Sequence, residues 1–491
     1  MSKTLADTPG VSVGKEAHRE AAGDGQSAPE MPTTAATAAT PWPSTRTAYY
    51  TLFVLILCLT SNQLDVGIVP YLAARIKADL HLSDTNLGLL FGASFGFFYT
   101  LVGLPIAWFI DRHSRRWILA LGIATWNIGT ALCGVAQNFM QLFTARFLVG
   151  AGEGVNGPTS YSIVGDLFPR ERMPRAIAFL QLGSVLGPAL ATAIGAWLLY
   201  LFLAMQPIPV FFGVIHGWQL IFLLIGLPST LIAVLILSTV PEPARHTIPH
   251  QITQPTLLRQ SPGARFSPLA WIRDFGDAFR YMSLHWSVFA PMFGCLAAGA
   301  FQIGALQWVP IFYQRTFGWG PAKLALLQSA QQLLIMPLGL VLGVMLAERL
   351  MRKRRDDAAV RVLVIARLIA LPGLFYVLMP TPWLAFGLQA LAYLGIGMGA
   401  PSQNAALQIV TPAELRGKVT ALYIFLYSVV GVALAPIVTG LITDFVLHDE
   451  SQIRWSIFWP TVIFNPLSLF IAWLGMRPYG REVARLKMLE A

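Results

Sequence analysis

Charge is what this chain of 491 residues lacks: Asp, Glu, Lys and Arg supply 12% of it, against roughly 25% in a soluble domain. A polar shell cannot be made from so little, and 55% of the residues are hydrophobic, with a mean hydropathy of +0.60. Only an integral membrane protein, whose outside is solvated by lipid, fits that composition. Cysteine is scarce too. Cys58, Cys133 and Cys295 all lie in apolar runs, without the paired spacing of a disulfide framework, metal site or redox site. None of the eight histidines has an Asp five residues away, the spacing that a membrane acyltransferase often shows. The glycines of GAGEG, residues 150–154, lie inside an apolar run with no strand before them, so they are not a dinucleotide loop. No enzyme, cofactor or metal is expected. The net charge of +10 comes with no nucleic-acid motif, and it reads instead as basic loops facing anionic lipid headgroups.

What the chain has is a succession of apolar runs of about 20 residues or more, each long enough to span a bilayer as a helix. They fall near 48–70, 86–109, 117–136, 139–163, 176–201 and 217–240, then 285–312, 324–347, 360–379, 382–408, 418–443 and 456–476. The expected fold is all-α: twelve transmembrane helices in two six-helix halves. Residues 1–46 read as a disordered tail, 47–240 as the first half, 241–283 as a linker, 284–478 as the second half and 479–491 as a tail. No signal-peptide core precedes the first run, so no cleavage is expected. The loops DRHSRR, PRERMPR and ERLMRKRRDD are basic, whereas AQN, PIPVFFG and MPTPW are nearly uncharged. The positive-inside rule therefore puts both termini and the linker in the cytoplasm, most simply at a bacterial inner membrane.

The halves repeat. Adding 243 carries Gly152 to Gly395, Gly154 to Gly397, Pro158 to Pro401, Pro169 to Pro412 and Glu171 to Glu414. Parallel repeats of this kind are a transporter architecture, with the substrate site between the halves. The same offset carries Arg146 to Gln389 and Glu153 to Ile396. The glycines, which shape close helix packing, are thus shared, and the charges are not.

Those charges need another reason, because a charged group at the bilayer centre costs about 2.5–3.5 kcal/mol even on a mild scale. Arg146 and Glu153 are seven residues apart, so they share a helix face at about 10 Å along the axis and flank one polar cavity. Asp65, near the end of the first run, follows Ser61 and Asn62 on a polar stripe that can face the same cavity. Burial drives a carboxyl towards protonation and a guanidinium opposes it, so a carboxyl between the two titrates near neutrality, as proton coupling requires. The alternative is a static ion network locking the first and fourth helices together. Gln302, Gln307, Gln403 and Asn404 either line the facing wall or bond between helices. Arg367 either pairs inside the bundle or snorkels to the cytoplasmic face.

Residues 103–116, GLPIAWFIDRHSRR, place Asp111, Arg112, Arg115 and Arg116 between the second and third helices, where charge-assisted bonds to neighbouring helix ends would form a gating latch. This loop resembles the signature of the major facilitator superfamily, although Ala107 stands where that signature has glycine. Together with IKADLHLSDTNLGLLFGASFGFFYTLVGLPIAWFIDRHSRR, ARFLVGAGEG, GPTSYSIVGDLFPRERMPRAIAF and AELRGKVTAL, it resembles the spinster-like branch. The resemblance implies secondary active transport, with an acid on the first helix and an Arg/Glu pair on the fourth in the cavity, here Asp65, Arg146 and Glu153. Val66 departs from the Arg that the branch carries after its acid, so the charge balance beside Asp65 differs.

The reading that follows is a carrier, working by alternating access and coupled to protons, for a small amphipathic, lipid-like or organic-anion substrate. Its other partners are membrane lipids, and its working unit is a monomer. A proton-driven multidrug efflux carrier and a membrane sensor without flux are the alternatives.

Overall fold

Lipid offers a backbone no hydrogen bonds, so each apolar run satisfies its own amides and carbonyls by coiling into a helix. The computed structural model describes residues 42–169, 172–211, 213–245, 268–412 and 415–490. Helix α1, Thr45–Leu80, starts at Ser44, whose hydroxyl accepts the Thr47 amide at 3.2 Å. Helix α2 covers 84–112 as Asp84–Phe91, a π turn at Ala93–Phe97 and Phe98–Arg112. Next come α3, Arg115–Cys133, and α4, 139–167, which loosens between Phe139–Glu153 and Asn156–Leu167. Helices α5, Met173–Phe202, and α6, Gly217–Thr239, complete the first half, joined by a small hairpin of β1, Ile208–Val210, and β2, Gly213–Ile215.

A further helix, α7 (Pro268–Leu284), ends the linker, where the apolar pattern announces none. It is held at its end, where Ala278 is buried and the Tyr281 hydroxyl donates to the Val410 carbonyl at 3.0 Å. The second half comprises α8, 286–317 (Trp286–Leu306 and Val309–Phe317), α9, Pro321–Arg352, α10, Ala358–Leu378, and α11, Pro382–Val410. It closes with α12, Arg416–Leu447, containing a π segment at Ser428–Leu434, and α13, Ile453–Glu490. Two expected bounds shift. Helix α1 runs ten residues past the expected end at 70, because Leu72, Ala73 and Ile76 are buried in the core beyond it. The expected first tail lies outside the described residues up to 41, and its last residues, Thr45 and Arg46, are already helical. Among the described residues twelve helices thus span the bundle, and eight of them are individually long and apolar enough to cross a membrane. Breaks beside Gly92 and Gly154 divide α2 and α4 into shorter pieces.

The two halves pack by one plan. In each, the first and fifth helices pair (α1 with α5, α8 with α12), and so do the third and fourth (α3 with α4, α10 with α11). A Cβ on Gly152 would stand 2.6 Å from the Trp126 amide nitrogen, and one on Gly395, 243 residues on, 2.6 Å from the Ala366 carbonyl. Between halves, α2 lies against α12 and α5 against α9, a pseudo-symmetric exchange. The α2 seam is a row of glycines: a Cβ on Gly88 would fall 2.7 Å from the Pro436 carbonyl, and one on Gly92 2.1 Å from that of Ala433.

The core is unevenly shared. At the end opposite the basic loops, buried Leu87, Phe91, Trp218 and Phe222 of the first half join Trp308, Phe312, Ile453 and Ile457 of the second in one cluster. At the basic end each half keeps its own buried cluster, around Leu52, Leu119 and Ile236 in one and Phe289, Val410 and Tyr479 in the other. The halves share one buried apolar cluster at one end and keep their own clusters at the other.

Candidate transport site

Asp65, Arg146 and Glu153 come together inside the first half. Asp65 is fully buried, and Glu153 and Arg146 are 1% and 3% exposed. The longer α1 places Asp65 mid-helix, rather than near the end of its span. Glu153 is the last residue before α4 loosens, where Gly154 lies so close to α2 that a Cβ would stand 2.6 Å from the Tyr99 carbonyl. The glycine-rich run thus does two things: it lets three helices approach, and it positions a carboxyl at a break in the backbone.

Arg146 lies within Coulombic reach of both carboxylates, and the two carboxylates of each other. Thr130 is the polar neighbour of Asp65 and Asn62 that of Glu153, yet neither carboxylate completes a hydrogen bond with another described group. Thr130 carried no signal in the sequence, because a hydroxyl in an apolar run more often bonds its own helix, as Thr130 also does to the Trp126 carbonyl at 3.1 Å. Two carboxylates that share a buried guanidinium and lack full partners can bind and release a proton between them without breaking a locked pair, while the guanidinium stays charged.

The expected facing wall is dispersed. Gln302 is buried, but its carbonyl oxygen accepts from the Arg367 guanidinium at 3.5 Å. Gln307 sits at the break in α8, Gln403 is half-buried, and Asn404 is exposed. Arg367 neither pairs with an acid nor snorkels. Its guanidinium lies in the middle of α10, against Gly299, where a Cβ would be 2.1 Å from Nη2.

At the basic end, Arg115 is 2% exposed and ties α3 to α4 and to the segment that follows α6. It bonds Asp166 of α4, the Ser162 carbonyl at 3.2 Å, the Pro243 carbonyl at 2.7 Å and Glu242 at 3.0 Å. The Arg116 amide donates to Glu242 at 2.9 Å, while Arg112 is exposed and the Asp111 side chain lies outside the described residues. Burial by itself would raise the Glu242 carboxyl; hydrogen bonds from Ser114, Arg116 and Arg115 outweigh it and hold the group below its ordinary value of 4.5.

The opposite end carries charges that its nearly uncharged loops do not announce. Four charges on helix ends and in the last loop form a network: Lys77 with Asp84 and, at 2.8 Å, Glu450, and Arg315 with Asp84 at 2.6 Å and Glu450 at 3.5 Å. Asp444 accepts the Thr85 amide at 2.6 Å and the Asp84 amide at 3.2 Å.

Two repeat-related halves of six membrane helices, sealed at one end and carrying buried ionisable groups between helices, define the transporter class of membrane protein. A family model described as Major Facilitator Superfamily matches residues 53–436, and the chain belongs to that family. Among similar proteins, an MFS-type efflux pump of Mycolicibacterium smegmatis (strain ATCC 700084 / mc(2)155) is 27% identical over 454 residues, 89% of this chain and 95% of that one. A probable galactarate/D-glucarate transporter of Bacillus subtilis (strain 168) is 29% identical over 208 residues, 41% of this chain and 42% of that protein's length. Among solved structures, a bacterial homolog to the human lysosomal transporter Spinster, inward-facing and unoccupied, superposes with a TM-score of 0.68 at 21% identity. That match covers 90% of this chain and 98% of the other, and it shows the shared fold.

Proposed function

We propose that this major facilitator protein is a proton-coupled carrier of small organic acids, with Asp65, Arg146 and Glu153 as its coupling site. The observation that carries the proposal is the burial of two carboxylates and one guanidinium, in mutual reach, within membrane helices of one half. Two carboxylates beside a guanidinium, in otherwise apolar surroundings, suit a proton better than sodium, which needs several oxygen ligands. The Bacillus relative, a probable galactarate/D-glucarate transporter, supports an anionic substrate. The basic end is assigned to the cytoplasm by the positive-inside rule, so the end where each half keeps its own apolar cluster faces inward. The efflux relative supports a second reading, extrusion of an amphipathic compound by the same machinery.

Proton flux into proteoliposomes, read with a pH-sensitive dye, tests this. Galactarate, a lysolipid and a cationic drug are applied in turn to wild type and Glu153→Gln. One compound class should drive proton movement in wild type, and the variant should lose that coupling at least tenfold. Unchanged coupling in the variant makes Glu153 structural and overturns the mechanism.

A further inference from the structure

The second half contains a charge that the coupling site does not use. Arg367 stands nine residues into α10, about 14 Å from its start and so near the middle of a bilayer. The sequence has no Asp or Glu in 286–347, 358–412 or 415–443, so α8 to α12 bring it no acid within the membrane. Among the described residues it has no ion pair, and the Gln302 carbonyl oxygen at 3.5 Å is a weak partner.

The surroundings form a site rather than a sheath. A cavity of about 110 Å³ is lined by Gln302, Ile303, Arg367, Ile396, Gln403 and Tyr427. Three donors on its wall are buried without a partner among the described residues: Nε of Arg367, Nε2 of Gln302 and Nε2 of Gln403. Gln302 is 3% exposed, so its amide is fixed in the wall. Gly299 leaves the space into which the guanidinium folds, since any side chain there would collide with it. The cavity exceeds three water volumes at about 30 Å³ each, room for a carboxylate and one or two carbons. Its position is also telling: Ile396, on the wall, is the repeat counterpart of Glu153. One half therefore carries acids where the other carries a lone guanidinium.

We propose that this cavity is a carboxylate-binding subsite, in which Arg367 holds one carboxylate of the substrate and the Gln302 and Gln403 amides donate to the same oxygens. It rests on the organic-acid reading and supplies the anion contact that reading needs. A guanidinium matches a carboxylate with two parallel N–H···O bonds, which an ammonium cannot reproduce. Binding there neutralises the buried charge and leaves the proton to the acids of the first half.

The test is ligand stabilisation of the purified full-length protein. Melting temperature is followed against galactarate, gluconate, neutral galactitol and lysophosphatidate, for wild type, Arg367→Gln, Arg367→Lys and Gln403→Met. Galactarate or gluconate should stabilise wild type saturably and galactitol should not. Arg367→Gln should weaken apparent affinity at least tenfold, with Arg367→Lys recovering only part of it. Gln403→Met, which keeps both charge and volume, should weaken it several-fold and covers the case in which the Arg367 variants fail to fold. Equal carboxylate affinity in wild type and the variants overturns the subsite. Stabilisation of wild type by lysophosphatidate or galactitol, without either carboxylate, overturns the ligand class. Neither result touches the carrier reading, which fails separately if no compound drives proton flux in wild type.

Discussion

At the scale of single residues, each half treats its charges differently according to depth. Arg115 and Glu242, at the basic end, have full sets of partners and serve stability. Because Glu242 is held below its ordinary value, its contribution is present above about pH 4.5 and is lost as pH falls through the lowered native value. Glu242→Gln should therefore lower the melting temperature at pH 7 by a degree or two, corresponding to about 1 kcal/mol after allowing for partial exposure. Melting curves from pH 7 down to pH 3 check this, since the gap between wild type and variant should narrow below about pH 4.5 and close only below the lowered native value. A gap independent of pH would show that the carboxylate's charge contributes nothing. The mid-membrane residues were readable in the sequence because desolvation makes any charge there conspicuous, and Asp65, Arg146 and Glu153 stand together as their cost suggested. Partners of ordinary chemistry, such as Thr130, were not readable, because nothing in their spacing separates a site hydroxyl from one that bonds its own helix.

At the scale of elements, the apolar runs were legible as helices, while their breaks were not. The π turn at Ala93–Phe97 and the π segment at Ser428–Leu434 face each other across the seam of the two halves, and no periodicity announces them. The seam depends on side chains being absent. Gly88, Gly92 and Gly96 follow at intervals of four, presenting one face of α2 to the backbone of α12. Gly92→Val would force the two apart at the sealed end. We expect transport to fall at least tenfold with expression maintained, and the sealed end to open. Spin labels at Met140 and Phe445, both exposed near that end, should move apart by several ångströms in distance measurements. Gly157→Ala, where a Cβ meets nothing within 4 Å, should leave that distance unchanged. An unaltered distance in Gly92→Val would mean that the seam tolerates bulk and that α2 does not set the closure.

At the scale of the whole molecule, the network of Lys77, Asp84, Arg315 and Glu450 couples the halves in a form suited to reversal. Its pairs divide into two kinds. Lys77 with Asp84 and Arg315 with Glu450 lie within one half each, whereas Asp84 with Arg315 and Lys77 with Glu450 cross between halves. If the sealed end opens, the crossing pairs part and each half retains a neutral pair of its own, so no charge is stranded. Such a latch favours the closed end without forbidding the open one. Asp84 is its centre, with a fully buried side chain and Arg315 bonded to both carboxylate oxygens at 2.6 and 2.7 Å. Asp84→Asn removes the charge and keeps the shape, so its loss is felt mainly in the closed state, where two cations converge on it. Each 1.4 kcal/mol lost there changes the population ratio tenfold, and removing one partner of a buried pair costs about 3–5 kcal/mol. The same Met140 and Phe445 labels should report at least a tenfold gain in the form open at this end, and Asp84→Glu should restore part of the closed form. If Asp84→Asn leaves the distance distribution of wild type, the network merely solvates the helix ends, and the apolar cluster of Phe91, Trp308 and Phe312 alone holds the halves together.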